Sequence, residues 1–347
     1  MWWLGFVVLP AVALLVFFLF FVLPYAHWVI RFGNRFLRIA DLTEKAVVVS
    51  GCDCGFGRLL AIKLLQNGIR VFAGCLTVDG ENALKEETKE LPARLFTFPL
   101  DVTSDESVAN AAKVVALELN GEGLHGLVNN AGVLGPTHED SFLNIKHYHD
   151  VMNVNVFGII RMCHSFKQLL KKGKGRIVNM SSCAGRVPGP GMGPYFTSKH
   201  GVEAYSDAIR HELMEFGIST HILEPQVFKT QLATPNALTS RMDQLWTQAS
   251  EELKEQYGPK FHEKSKRLAV NFFDTMARTD YEWVVDTYFH ALSNRFAQKR
   301  YFVGWEALLF WQPLSMCNTT LQDIILRRVL LLYGAPLPQC VLNKTPL

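Results

Sequence analysis

The chain has 347 residues, 49% hydrophobic and 19% charged, with a net charge of +3 and seven cysteines. That length buries the core of one large α/β domain or two smaller ones. The small charge and the lack of a long basic run argue against nucleic acid as a partner. The odd, scattered cysteines argue against a disulfide framework.

Residues 1–30 hold no Asp, Glu, Lys or Arg and include the run LLVFFLFFVL. About 20 apolar residues span a hydrocarbon core, so this segment predicts a transmembrane anchor despite Pro10 and Pro24. A cleaved signal peptide is the competing reading; it calls for a basic leader and a shorter apolar core, and neither is present. Residues 31–44 form a basic linker with Arg31, Arg35 and Arg38. Positive charge after the anchor and none before it places the following domain in the cytosol. The glycosylation sequons NTT at Asn318 and NKT at Asn343 point to the lumen instead.

From residue 45 strands and helices alternate. KAVVVS predicts a strand, and GRLLAIKLLQNG a helix stopped by Gly68. RVFAGCL, RLFTFPLDVT and LHGLVNNAG predict three further strands, separated by the helices GENALKEETKEL and SDESVANAAKVVALEL. A long helix is expected over 140–171, then a solvated turn in KKGKGR. The strand GRIVNMSS follows, then the helix YFTSKHGVEAYSDAIRHELMEFG and the strand STHILEP. Helix-length crossovers mean a parallel sheet covered on both faces, and the near-continuous apolar strands agree. The fold class is α/β: a Rossmann-like, doubly wound parallel sheet in a single domain behind an N-terminal anchor. The domain spans 45–305, since the part after about 225 shows no second core.

The stretch SGCDCGFG at 50–57 joins the first strand to the first helix. Its glycines Gly51, Gly55 and Gly57 suit a tight turn whose backbone approaches a pyrophosphate at a helix N-terminus. An ordinary glycine-rich loop is the bland alternative, because the spacing is not the commoner G-x-G-x-x-G. Cys52 and Cys54 find no further Cys or His at zinc-ligand spacing, so no metal is expected.

With the glycine turn stand LDVT at 100–103, NNAG at 129–132, VNVFG at 154–158 and the pattern SS…YFTSK over 181–199. The chain resembles the short-chain dehydrogenase/reductase family from about Lys45 to beyond Thr230. Within it, SGCDCGFG, VFAGCLT and GVEAYSDAIRHEL resemble the membrane-associated branch of retinol dehydrogenases, 17β- and 3α-hydroxysteroid dehydrogenases and 3-hydroxybutyrate dehydrogenase. The resemblance implies a catalytic set of Tyr195, Lys199, Ser182 and Asn155. Tyr195 and Lys199 are four apart on one helix face, and an ammonium beside a phenol, with a positive nicotinamide, favours the phenolate. Tyr195 would then take or give the alcohol proton. Ser182 would bind the substrate oxygen, Ser181 pointing to the other face. Asn155 would hold the active-site helix and a water leading to the lysine.

The resemblance also implies a cofactor site of Gly51, Asp53, Cys54, Gly55, Phe56, Gly57, Asp101, Val102, Asn129, Asn130, Ala131, Gly132, Tyr195, Lys199 and Thr230. Asp101 would contact the adenine amino group, Asn129 to Gly132 would line the ribose, and Thr230 would contact the carboxamide. One departure is Gln226 in EPQVFKT, where the family usually has glycine. Asp53, and the lack of Arg or Lys at the 2′-phosphate positions, favour NAD over NADP. Residues 228–257 are expected to form a substrate lid, with Leu232, Leu238, Met242, Leu245 and Trp246 facing the substrate or burying against the domain. Residues 306–347, apolar but broken by Pro313, Asp323, Arg327 and Arg328, suggest a membrane-contacting helix rather than a second span.

These features point to an NAD-dependent oxidoreductase of a retinol or hydroxysteroid at a lipid membrane, with no nucleic-acid partner and compatible with a homodimer. The endoplasmic reticulum is the expected location. A 3-hydroxybutyrate-type dehydrogenase and a non-catalytic dinucleotide-binding scaffold are the alternatives.

Overall fold

The computed structural model describes residues 37–230 and 234–343. The expected anchor lies outside these residues, and among the described residues no helix is long and apolar enough to cross a membrane.

The apolar runs form parallel strands β1 (Ala46–Ser50), β2 (Arg70–Cys75), β3 (Leu95–Pro99), β4 (Gly126–Asn129), β5 (Arg176–Met180) and β6 (Ser219–Pro225). A seventh, β7 (Arg300–Val303), was not among the expected strands. It closes the order β3-β2-β1-β4-β5-β6-β7. The order reverses between β1 and β4, which opens a crevice at the strand ends. Val47, Val48 and Val49 are fully buried on both faces of β1.

Helices α1 (Gly55–Gln66), α2 (Val78–Thr88) and α3 (Asp105–Glu118) follow the first three strands. The long helix expected over 140–171 runs from 145 to 173: α4 (Ile145–Met152) passes through a π-helical turn, Asn153–Phe157, directly into α5 (Gly158–Gly173). Then come α6 (Gly193–Met214), α7 (Pro235–Gln248), α8 (Glu251–Tyr257), α9 (Pro259–Met276) and α10 (Glu282–Ser293). After β7 lie a π-helical turn (Ala307–Trp311), α11 (Gln312–Ser315), α12 (Thr319–Leu332) and α13 (Gln339–Leu342). Leu60, Leu64 and Leu65 of α1 pack with Val284, Tyr288 and Leu292 of α10 on one face of the sheet. Val108 and Val115 of α3, Met162 and Phe166 of α5 and Val202 of α6 cover the other.

The chain enters this domain at the edge where the strands begin. The Leu37 carbonyl accepts from Arg295 N and Ile39 N donates to the Ser293 carbonyl, both at 2.8 Å. There too His125, just before β4, bonds the Leu292 carbonyl at 2.8 Å.

On β7, Arg300 binds Glu224 of β6 at 2.6 Å and pairs with Glu203 and Asp207 of α6. Burial, then the neighbouring Glu203 carboxylate, pushes Glu224 up to about 7. Removing Arg300 takes the paired cation from the buried Glu203 and Glu224, while the more exposed Asp207 keeps Arg210 at 2.9 Å. Arg300→Ala is expected to lower unfolding free energy by about 3 kcal/mol in urea titration, and an unchanged midpoint would show the cluster to be energetically idle.

Candidate active site

A cavity of about 1000 Å³ opens at the strand-end edge. The glycine turn forms its floor. Gly51 and Gly55 take φ of +71° and +62°, a region that L-residues rarely adopt. A Cβ on Gly57 would stand 2.3 Å from the Gly51 carbonyl oxygen, so α1 can approach the turn only with glycine there. Asn130 latches the turn from β4: its Nδ2 donates to the carbonyls of Ser50 and Gly51 at 3.0 and 3.1 Å. Tyr288 donates to its Oδ1 at 3.2 Å. The Ser50 hydroxyl accepts in turn from Asn130 N and Ala131 N. This cradle of backbone without side chains fits a pyrophosphate at the start of α1.

Asp53, Cys54, Gly55, Phe56, Asp101, Val102, Asn130, Ala131, Gly132 and Thr230 line the cavity, with Gly51, Ser182, Tyr195 and Lys199. Gly57 lies beneath the turn, and Phe56 packs edge-on against Phe228 at 5.5 Å. Asn129 corrects the expected ribose contact. It is buried, donating to Asn179 Oδ1 at 2.8 Å, because strand alternation turns it into the domain while Asn130 faces the crevice.

Asp53 Oδ2 accepts from Leu76 N at 2.9 Å, and Oδ1 from Thr77 N at 2.8 Å and the Thr77 hydroxyl at 2.7 Å. Burial works to raise its carboxyl, but these hydrogen bonds prevail and hold it low. Asp53 therefore fastens the turn to the start of α2, an anion already in place beside the cradle. Arg58, behind the turn, is paired with Glu87 at 2.5 Å.

Above the floor, Lys199 Nζ donates to the Met180 carbonyl at 2.9 Å and sits 5.5 Å from the Tyr195 ring centre. Burial holds the ammonium down to about 8, with Glu203 opposing. Burial also pushes the Tyr195 phenol above its ordinary value, against the pull of its hydrogen bond with Ser182. Ser182 Oγ donates to the Pro225 carbonyl at 3.3 Å and accepts from Ala184 N at 3.1 Å.

Asn155 stands at the π-helical turn. Its Oδ1 accepts from Val133 N at 2.8 Å, and its Nδ2 donates to the Val133 carbonyl and to Ser198 Oγ, each at 2.9 Å. Ser198 donates onward to the Tyr195 carbonyl at 2.8 Å. Asn155 thus ties the loop after β4 to α6 beneath Tyr195 and does not line the cavity.

The lid splits residue by residue. Met242 lines the cavity, whereas Leu238 packs on Leu134 and Phe273. Leu245 is buried, and Trp246 stacks on His262 at 4.7 Å and Phe142 at 5.6 Å. Leu232 lies outside the described residues. Most of the outer wall comes from positions the sequence did not single out: Leu268 and Phe272 of α9, Trp311, and Leu326, Val329 and Leu330 of α12. The i, i+4 spacing of Leu268 and Phe272 was the available signal.

Among the described residues, Asp243, His262 and Glu263 are grouped closely enough to hold a metal. Lys266 Nζ already lies between the two carboxylates, at 2.7 Å from Asp243 and 2.8 Å from Glu263, and takes the place of a cation.

The chain matches the short chain dehydrogenase family over residues 45–240. It is 40% identical to the 3beta-hydroxysteroid dehydrogenase dhs-16 of Caenorhabditis elegans over 92% of this chain and 84% of that protein. It is also 40% identical to rat (Rattus norvegicus) retinol dehydrogenase 7, covering 83% and 89%. With the human (Homo sapiens) 17-beta-hydroxysteroid dehydrogenase type 6 it shares 39%, covering 84% and 90%. A short chain dehydrogenase/reductase from Burkholderia phymatum, solved with NAD, superposes with a TM-score of 0.63 at 24% identity, covering 82% and 95%. Another from Burkholderia cenocepacia, solved with NADP, gives 0.59 at 21%, covering 81% and 97%. The chain belongs to the short-chain dehydrogenase/reductase family and is an NAD(P)-dependent alcohol dehydrogenase/reductase.

Proposed function

We propose that this protein interconverts a lipophilic secondary or allylic alcohol, a retinol or a hydroxysteroid, with its carbonyl, using NAD. The observation that carries the reading is the continuity of one cavity from Tyr195 and Ser182 to the apolar wall of Leu268, Phe272, Leu326, Val329 and Leu330. The relatives named for retinol and hydroxysteroids support the same class.

In this mechanism Ser182 donates to the substrate oxygen and Tyr195 removes the alcohol proton, or returns it in reduction. Lys199 holds positive charge beside the phenol, and Asn155 fixes the helix that carries both. A bound nicotinamide supplies the hydride acceptor and, when oxidised, the further positive charge that brings the phenol down. Residues 51–57 would hold its pyrophosphate, and Asp101, Val102 and Thr230 its adenine and carboxamide ends.

A short hydroxy acid needs a cation for its carboxylate, and in the segment 228–257 Arg241 is the one that lines the cavity. Its Nη1 donates to the Gly135 carbonyl at 3.2 Å, and Glu139 lines the same cavity, so a carboxylate substrate meets an engaged cation and a like charge. The C-terminal segment supports a membrane source for the substrate. While α12 lines the cavity through Leu326, Val329 and Leu330, its Ile324, Leu331 and Leu332 are exposed, as are Leu309 and Met316 before it. An enzyme anchored in the endoplasmic reticulum with its catalytic domain in the cytosol accords with these surfaces.

Tyr195→Phe should lower kcat by roughly 10²–10⁴-fold while cofactor affinity stays within a factor of about two; retention of a tenth of the activity would sink the assignment. For the cofactor, kcat/KM with NAD should exceed that with NADP. Asp53→Asn, which keeps one acceptor oxygen for Thr77 but gives up the Leu76 contact and the charge, should narrow the gap, and a wild-type preference for NADP would overturn the charge argument. In a panel of retinol, hydroxysteroids and 3-hydroxybutyrate, the hydroxy acid should give the lowest kcat/KM. Its ranking first would refute the lipophilic reading.

A further inference from the structure

Gln226 departs from the glycine usual at its position in the family, and the structure gives its side chain a defined place. The residue is buried, and its N–H donates to the Val303 carbonyl at 2.9 Å, extending the β6–β7 ladder. Its Oε1 turns away from β6 and accepts from Glu306 N at 2.9 Å and Ala307 N at 3.4 Å. Those are N–H groups at the start of the helical segment after β7, donors that a helix leaves without internal partners. The carboxamide fills the space above Gly304, where a Cβ would stand 1.9 Å from Oε1 and φ is +113°. Gln226 and Gly304 fit each other.

Two further walls meet at this point. The Glu306 carboxylate accepts from Arg278 at 2.8 Å. The backbone of Arg278, just past α9, exchanges hydrogen bonds with Val227 and Lys229, directly after Gln226. One turn beyond Ala307 stands Trp311, and after it α12, both lining the cavity. The cofactor-side motif at 225–230, the end of α9 and the C-terminal wall are therefore joined through one carboxamide and the ion pair beside it.

We propose that Gln226 is a positioning residue that sets substrate size preference: it suspends the C-terminal wall, Trp311 and α12, from the end of β6. This rests on the lipophilic-alcohol reading above. Loss of the acceptor leaves two N–H groups without a partner beside the buried Ala307 and loosens the wall. A bulky alcohol that reaches the wall loses affinity. A small one, held by Ser182 and Tyr195 alone, does not.

The test compares Gln226→Met, which keeps the side-chain length without an oxygen acceptor, with Gln226→Glu, which keeps the acceptor, in the full chain in detergent. Gln226→Met should raise KM for retinol or a hydroxysteroid by about tenfold, the factor that one lost buried hydrogen bond produces. kcat, NAD affinity by tryptophan quenching, and kcat/KM for cyclohexanol should each stay within about twofold, and Gln226→Glu should recover most of the KM. Equal losses on bulky and small alcohols, or a fall in kcat or NAD affinity with KM unchanged, would overturn the proposal. Amide hydrogen exchange decides it without any substrate: Gln226→Met should speed exchange across 305–312 at least about tenfold and Gln226→Glu should not. Unchanged exchange there overturns the positioning role. Failure of the wild type to turn over any lipophilic alcohol would instead refute the substrate reading.

Discussion

The contact between Asn130 and the carbonyls of Ser50 and Gly51 fixes the rest of the site. It joins the ends of β1 and β4, the two strands between which the sheet reverses direction. With the Ser50 hydroxyl accepting from the backbone of Asn130 and Ala131, the polar groups at the crevice floor satisfy one another. Gly57 is the companion constraint, since any Cβ there would strike both the Gly51 carbonyl and the Asn130 amide. Every distance from this floor up to Tyr195 depends on that closeness.

Tyr195 and its helix rest on a second buried polar chain, Val133 to Asn155 to Ser198 to the backbone of Tyr195. A regular α-helix through 153–157 would carry one residue fewer in that turn, and the π-helical widening accompanies the placing of Asn155 where it reaches Val133 on one side and Ser198 on the other. Lys199 is buried and Tyr195 partly so, and burial works against the charged form of each; the charge of what binds beside them shifts that balance.

Much of this was legible in the chain. Strands β1 to β6 announce themselves because a strand covered on both faces must be apolar along its length, as KAVVVS and STHILEP are. The strand β7 did not, since RYFV is four residues long and becomes a strand only through its pairing with β6. Tyr195, Lys199, Ser182 and the glycine turn, singled out through the family motifs, line one cavity. Asn129 was misplaced because NNAG as a motif does not say which of two neighbouring asparagines a strand turns inward. The π-helical turn within the long helix escaped for a similar reason: VNVF carries no local mark of it, and its use shows only in the contacts of Asn155 with Val133 and Ser198. The outer cavity wall depends on α9 and α12 meeting across more than fifty residues of sequence, which no local pattern encodes.

The place where the chain enters the domain constrains how the molecule can lie. Leu37 sits at the edge where the strands begin, fastened to Ser293 and Arg295, while the cavity and α12 occupy the edge where they end. If an anchor before Leu37 and the exposed face of α12 touched one bilayer, the strands would run along its surface rather than stand upright on it. The flank bearing β7, with Leu37 and Phe296 exposed toward one end and Trp305 and Leu309 toward the other, then becomes the underside, and the cavity opens sideways at the level of the lipid headgroups.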